Sequence, residues 1–157
     1  MWGAFMDFHT LLLGSHLSFK KHLLTCLKEY NLKSGQPKVL EYIATHEGCQ
    51  QKDIAENCYV ETATLSIVLT NLEKHKLIKR KSLSNDKRAY SIYLAKYGRD
   101  VYKKVSDMMK YTEDVALEGF TVEEREELFQ LLSRVRDNIR EANRKNASAE
   151  DDMDISV

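Results

Sequence analysis

The stretch that decides the fold of this chain runs from Leu77 to Leu94 and reads Leu-Ile-Lys-Arg-Lys-Ser-Leu-Ser-Asn-Asp-Lys-Arg-Ala-Tyr-Ser-Ile-Tyr-Leu. It predicts two short strands joined by a polar turn at residues 84–87, where Asn and Asp side chains can replace ladder hydrogen bonds. Lys and Arg crowd this hairpin, although the formal charge of the whole chain is zero. A cationic hairpin that follows a short amphipathic helix is suited to lie beside a nucleic-acid backbone.

Charge is strongly segregated along the chain. Residues 1–73 carry 6 Lys/Arg and 8 Asp/Glu, residues 74–104 carry 11 and 2, and residues 113–157 carry 6 and 13. The central segment therefore has a net charge of +9 and the last segment −7, so the neutral total conceals a basic stripe. Such a stripe is the electrostatic footprint of a phosphate binder.

The composition indicates a globular, helix-rich protein with one domain, or one domain with a dimerisation element. The chain has 157 residues, of which 43% are hydrophobic and 31% charged, with a single proline. Its three cysteines have no CxxC spacing, which argues against a disulfide framework or a zinc site. Neither a membrane-spanning run nor a signal peptide is indicated, so we expect a cytoplasmic protein with no membrane partner.

Helical periodicity surrounds the hairpin on both sides. A helix is expected from about Met6 to Tyr30, with an apolar face wide enough to suggest burial against another subunit. Ser34 is the expected N-cap of a second helix that has Pro37 in its first turn and reaches about His46. Gly48 is expected to end that helix as a left-handed cap.

The remaining pattern predicts a helix-turn-helix and then two more helices. Helices are expected over residues 51–58, from Thr62 to about His75, and from about Lys96 to Glu118. A capping box at Thr121–Glu124 opens a last helix. The expected organisation is an N-terminal dimerisation helix (1–31), a winged helix-turn-helix (32–95), C-terminal dimerisation helices (96–146) and a disordered acidic tail (147–157). The predicted fold class is mainly α with a small β-hairpin wing.

Several residues, in order and at the right spacing, resemble the MarR family (multiple antibiotic resistance regulators). The residues that carry the resemblance are Leu32, Gln36, Val39-Leu40, Gln51 to Glu56, Leu72-Glu73, Leu77-Ile78, Arg80, Asp86-Lys-Arg88, Leu94 and Gly98. The resemblance implies a winged-helix homodimer that binds double-stranded DNA at pseudo-palindromic operators. It also implies a ligand-responsive regulator of transcription, and repression is the expected action.

The resemblance and the chemistry of the side chains together name the DNA-binding candidates. Arg88 suits a narrow minor groove, Asp86 can hold its guanidinium in place, and the lysines of the hairpin suit phosphates. The second helix of the helix-turn-helix is expected to enter the major groove. The full set is Thr62, Ala63, Thr64, Ser66, Ile67, Thr70, Lys79, Arg80, Lys81, Asn85, Lys87 and Arg88.

The chain also departs from the family pattern. Lys76 stands where a glycine is usual, so a left-handed residue there would cost up to about 1–2 kcal/mol. Ala95 replaces a common threonine cap, and Ile67 stands where basic residues are frequent. No Lys or Arg occurs between Asp53 and Lys74, so major-groove reading would rest on hydroxyl and methyl groups. This predicts a preference for sites that contain A·T pairs.

Other functions remain open at this point. Cys26 could be a thiol sensor but is more simply a small core residue, and His9 and His16 share a helix face without an acidic partner at ligand spacing. The light charge of the recognition helix also allows a helical dimerisation module that binds a protein partner. No nucleophile–base pair or phosphate loop indicates an enzyme, and no metal or cofactor is expected. Tyr30, Tyr111 and Phe120 could line an effector pocket but are more simply core.

Overall fold

Helices form most of the chain, and one antiparallel hairpin interrupts them. The computed structural model describes residues 7–83 and 86–154, with side chains described for residues 7–82 and 90–146. The elements are α1 (Phe8–Cys26), a 3-10 turn (Lys28–Tyr30), α2 (Gln36–Thr45), α3 (Gln51–Cys58), α4 (Thr62–Lys74), β1 (Ile78–Leu83), β2 (Asp86–Leu94), α5 (Lys96–Ala116) and α6 (Val122–Asp154). The predicted mainly α fold class with a hairpin wing is confirmed.

The chain divides into two units, residues 1–116 and 117–157. In the first unit, α1 to α5 and the hairpin share one hydrophobic core. Helices α2, α4 and α5 each bury an apolar row at helical spacing, and the buried residues are Val39, Leu40, Ile43, Leu65, Leu69, Leu72, Val101 and Val105. Val68, Met108 and Met109, which the same periodicity predicts to face inward, are only partly buried. Ile54 of α3 and Ile92 of β2 complete the packing between the helix-turn-helix and the hairpin.

Helix α1 contributes to that core only near its C-terminal end. Asp7 caps the helix by accepting a 2.7 Å hydrogen bond from the Thr10 amide, and the helix ends at Cys26, earlier than predicted. Leu23 and Leu27 are buried, whereas other apolar side chains are 42–62% exposed in the single chain: Phe8, Leu11, Leu12, Leu13 and Leu17. The first half of α1 therefore presents an apolar surface that this chain does not cover itself.

Both predicted caps of α2 were wrong. The N-cap is Gly35, with φ of +83°, rather than Ser34, and the Gln36 side chain accepts a 2.8 Å hydrogen bond from the Lys33 amide. The C-cap is His46 rather than Gly48. Gly48 is left-handed (φ +89°), as expected, but its amide donates to the Ile92 carbonyl at 2.9 Å. The chain after α2 thus bridges to β2 instead of closing the helix.

The hairpin forms the predicted wing. β1 and β2 pair antiparallel from Ile78 opposite Leu94 to Ser82 opposite Tyr90, with an irregularity between Ser82 and Leu83. The predicted turn at 84–87 includes Ser84 and Asn85, which lie outside the described residues. Lys76, between α4 and β1, is left-handed with φ of +59°. The unfavourable backbone conformation expected of a lysine at this position is therefore present.

The second unit consists of α6 and the turn before it. The capping box is confirmed, because the Glu124 amide donates to Thr121 Oγ1 at 3.2 Å and the Thr121 amide donates to the Glu124 carboxylate at 2.8 Å. The helix continues to Asp154, so the expected disordered tail from residue 147 does not match the structure. The tail begins Ala-Ser-Ala-Glu, and Ala and Glu favour helix even where no apolar stripe continues. Apolar side chains of α6 that are exposed include Phe129, Leu131, Leu132 and Ile139.

Helix α5 approaches the base of the wing at Gly98. The Leu77 carbonyl accepts a 2.9 Å hydrogen bond from the Ala95 amide, one residue before α5 begins. A Cβ at Gly98 would overlap that carbonyl oxygen and lie 2.7 Å from the carbonyl carbon. Glycine at position 98 is therefore a packing requirement rather than a conformational one.

Glu47 makes a second connection at this junction. Its carboxylate accepts hydrogen bonds from the Leu94 amide at 3.1 Å and from the Arg99 guanidinium at 3.0 Å. Burial alone would raise the pKa of Glu47, but these hydrogen bonds and the charge of Arg99 outweigh it, so its pKa lies below the ordinary value of 4.5. No periodicity or motif along the chain indicates this pair.

Replacing Gly98 by alanine is expected to destabilise the protein by about 2 kcal/mol or more, because the backbone of α5 or of Leu77 must shift. Lys110→Ala is a control in the same helix, since Lys110 is exposed. It should change the stability by less than about 0.5 kcal/mol. Urea denaturation monitored by circular dichroism measures both, and equal stabilities of the two variants would contradict the close approach.

Replacing Glu47 by glutamine is expected to lower stability at neutral pH by about 1 kcal/mol or less. Because the folded pKa is depressed, the stabilisation is present above the ordinary pKa and is lost as the pH falls through the folded value. The difference between variant and wild type should therefore vanish in acid.

Glu41 is a control of opposite sign, because burial raises its pKa despite the charge of Lys38. Glu41→Gln should not destabilise the protein at neutral pH, since the ionised carboxylate is the disfavoured form there. Denaturation curves at several pH values in the acid range test both expectations. A loss of stability in Glu47→Gln that does not change with pH would exclude the ionic contribution.

Candidate nucleic-acid interface

Helices α3 and α4 form the helix-turn-helix, and a tight turn joins them. Tyr59 closes α3 in the left-handed conformation, with φ of +54°, and the Val60 amide donates to the Ala55 carbonyl at 3.0 Å. The Gln51 side chain of α3 then reaches across to α4, where its Nε2 donates to Ser66 Oγ at 2.6 Å. The same Nε2 donates to the Thr62 carbonyl at 3.4 Å, so the relative position of the two helices is fixed by a buried apolar row and by the polar contacts of Gln51.

The predicted recognition residues of α4 lie on its exposed side. Leu65, Leu69 and Leu72 are fully buried, so one side of the helix packs in the core. With 3.6 residues per turn, the side chains opposite this row are Ala63, Ile67 and Thr70. Thr62, Thr64 and Ser66 flank them and are exposed as well. The structure thus brings all six predicted residues of the helix to one accessible surface.

Two of the hydroxyl groups on this surface already donate within the helix. Ser66 Oγ donates to the Thr62 carbonyl at 3.0 Å, and Thr70 Oγ1 donates to the Ser66 carbonyl at 2.8 Å. Because each hydroxyl has one proton, both can offer only lone pairs to an incoming ligand. Ser66 has one of these lone pairs occupied by the amide of Gln51.

The basic residues of β1 alternate between two environments. Lys79 and Lys81 are exposed, and Lys81 Nζ lies 5.0 Å from the centre of the Tyr93 ring. Arg80 points to the other face of the strand. Its Nε lies 3.6 Å from the Glu73 carboxylate of α4, and its side chain is only 26% exposed. Arg80 therefore links the wing to the recognition helix, a role that the charge pattern did not distinguish from that of the lysines.

The predicted wing tip lies largely outside the described residues. β2 begins at Asp86, and Leu83 is its partner across the hairpin. Asn85 lies outside the described residues, as do the side chains of Asp86, Lys87 and Arg88. The roles expected of these four residues remain predictions.

Two of the three cysteines, Cys49 and Cys58, have environments that disfavour thiolate chemistry. Burial raises the pKa of Cys49 to about 11 and also raises the pKa of Cys58. Cys26 Sγ lies 3.8 Å from His22 Nδ1, which lies 3.2 Å from Thr112 Oγ1. The Thr112 hydroxyl donates to the Met108 carbonyl at 2.7 Å, so toward His22 it can offer only a lone pair.

Two features of the described part of the chain bear on metal binding and on membrane insertion. No group of three or more His, Cys, Asp or Glu side chains in residues 7–82 and 90–146 is placed to hold a metal ion. Among the described helices, none is both long and apolar enough to cross a membrane.

Comparison with known proteins agrees with this geometry. The model of the MarR family matches residues 32–90. The HTH-type transcriptional regulator YybA of Bacillus subtilis is 31% identical over 112 residues, which are 71% of this chain and 75% of that protein. These relatives are regulators, in agreement with the expectation that the chain is not an enzyme.

Two solved structures extend the similarity beyond the helix-turn-helix. The transcriptional regulator SlyA aligns with a TM-score of 0.83 and 26% identity over 87% of this chain and 96% of that one. A MarR-family regulator from Listeria monocytogenes, solved with a 26-mer DNA, aligns with a TM-score of 0.81 and 27% identity, covering 87% of this chain and 91% of that one. This chain therefore belongs to the MarR family and is a winged helix-turn-helix transcriptional regulator.

Proposed function

We propose that this regulator acts in the cytoplasm as a homodimeric, ligand-responsive repressor that binds pseudo-palindromic sites on double-stranded DNA. The observation that carries the proposal is the placement of an exposed, uncharged face of α4 next to a hairpin within the +9 segment. A helix that can enter the major groove and a cationic wing beside it supply the two components of DNA binding, base contacts and phosphate contacts.

The phosphate contacts are assigned to the wing and to the start of α4. Lys79 and Lys81 are exposed, and Lys87 and Arg88 follow at the wing tip. The first hydrogen bond of α4 is donated by Leu65 to the Glu61 carbonyl, and the Glu61 side chain makes no capping hydrogen bond. The amides of the first turn therefore point outward without an intrahelical acceptor and favour an anion.

The exposed apolar side chains support the dimer. Five large apolar residues of α1 and a separate stripe on α6 are accessible in the single chain. Exposed apolar patches of this kind mark protein–protein interfaces more often than bare surface. Burial of these side chains against a second copy would hold two recognition helices at a fixed separation, about 34 Å for half-sites one duplex turn apart.

The effector is proposed to act on this separation. A small molecule that binds one dimer arrangement better than another shifts the population toward it and so changes DNA affinity. Thiol sensing receives no support from Cys49 and Cys58, because burial raises the pKa of both and keeps them protonated at neutral pH. We therefore propose that the regulator responds to a small-molecule effector.

A salt series on duplex DNA tests the proposal. The purified dimer should bind random duplex weakly and a selected site tightly, and log affinity should fall linearly with log salt as counterions are released. Arg88→Ala should weaken binding by about ten-fold or more, and Lys79→Ala should lower the salt slope by about one. Fluorescence anisotropy measures both quantities.

Lys110→Ala is the control, because this exposed lysine lies in α5 and outside the wing. Its affinity and salt slope should equal those of the wild type. If the folded dimer shows no salt-sensitive duplex binding at low ionic strength, the proposal is wrong and a protein-binding dimerisation module becomes the better description.

A further inference from the structure

The largest apolar side chain on the outward face of the recognition helix is Ile67. It is 69% exposed and lies opposite the buried row of Leu65, Leu69 and Leu72, with Ala63 one turn before it and Thr70 beside it. Resting on the proposed DNA-binding function, we propose that Ile67 is the main specificity-determining residue of α4 and that it recognises the C5-methyl group of thymine in the major groove.

The hydroxyl groups next to Ile67 cannot donate hydrogen bonds to bases, so base recognition falls mainly to Ile67. Ser66 and Thr70 use their hydroxyl protons inside the helix, so neither can donate to the acceptor-rich edge of guanine. Ser66 also accepts from Gln51, which leaves it one lone pair. No Lys or Arg occurs between Asp53 and Lys74 to make the bidentate contact that guanine usually receives. On the side of α4 opposite the buried leucines, the remaining means of reading bases directly are methyl contacts and hydrogen bonds accepted from adenine or cytosine.

The local structure holds Ile67 ready for such a contact. The helix is fixed from behind by fully buried leucines on either side in the sequence, and from the side by the bond between Gln51 and Ser66. A β-branched side chain in a helix has essentially one χ1 rotamer, so ordering it in a groove costs little entropy. These features distinguish Ile67 from a flexible surface residue.

The expected change in DNA affinity follows from the apolar area of one methyl group. Burial of one methyl between Ile67 and thymine corresponds to a change in affinity of about four-fold per contact. A dimer on a symmetric site makes the contact twice, so removal of both methyls should weaken binding by about fifteen-fold. Loss of a phosphate contact would instead weaken binding to all sequences equally.

The experiment uses deoxyuridine, which pairs as thymine does but lacks the methyl group. A tight site is first selected from random duplexes with the full-length protein. Each thymine pair in the two half-sites is then replaced symmetrically by deoxyuridine, and affinities are measured by anisotropy. At one or two symmetric positions the wild type should lose about fifteen-fold.

The variants assign the effect to Ile67. Ile67→Ala should bind thymine and deoxyuridine duplexes with equal affinity at those positions while keeping the salt slope of the wild type. Ile67→Val should retain part of the discrimination, which guards against misfolding of the alanine variant. Lys110→Ala, in α5 and outside the proposed interface, should retain all of it.

The outcomes separate this inference from the proposed function. Salt-sensitive duplex binding without any difference between thymine and deoxyuridine would overturn the role of Ile67 and leave the DNA-binding function intact. Full discrimination by the folded Ile67→Ala variant would have the same consequence. Absence of duplex binding by the wild type would overturn both.

Discussion

The carbonyl group of Leu77 is the point on which the geometry of the wing depends. It accepts the Ala95 amide, and Gly98 packs directly against it without a side chain. The chain therefore enters and leaves the hairpin at one place, which lies between the end of the recognition helix and the start of the long helix α5. Any group larger than hydrogen at position 98 would separate these elements.

Side-chain contacts around this junction connect the wing to the two helices beside it, α4 and α5. Glu47 holds the end of β2 and the first turn of α5, and Arg80 holds β1 to the end of α4 through Glu73. The wing cannot tilt without disturbing one of these ion pairs. Exposed pairs of this type contribute little to stability but can fix an orientation. The position of the cationic hairpin relative to α4 is thus set by side chains that do not themselves need to meet DNA.

Much of this architecture could be predicted from the sequence, for identifiable reasons. The leucine row of α4 and the apolar rows of α2 and α5 have helical periodicity, and the capping box at Thr121 has a defined spacing, so these elements followed from local rules. The left-handed Lys76 was indicated by the resemblance to the family, in which a glycine is usual at this position.

The errors arose where distant residues decide the local structure. Gly48 pairs with Ile92, and no local rule distinguishes that bridge from a helix cap. Glu47 and Arg99 are 52 residues apart, so their contact has no signal in a single sequence. The acidic tail was assigned from its charge, whereas Ala147, Ala149 and Glu150 at its start also favour helix. The environment of Arg80 likewise depends on Glu73, which belongs to a different element.

The bond between Gln51 and Ser66 has an evolutionary consequence. The amide of Gln51 determines how many lone pairs Ser66 can offer and which way its hydroxyl points. A shorter or apolar residue at position 51 would release a lone pair on the face of the next helix without altering that helix. The set of operators that is bound can therefore change through substitutions in α3, while the sequence of α4 stays the same.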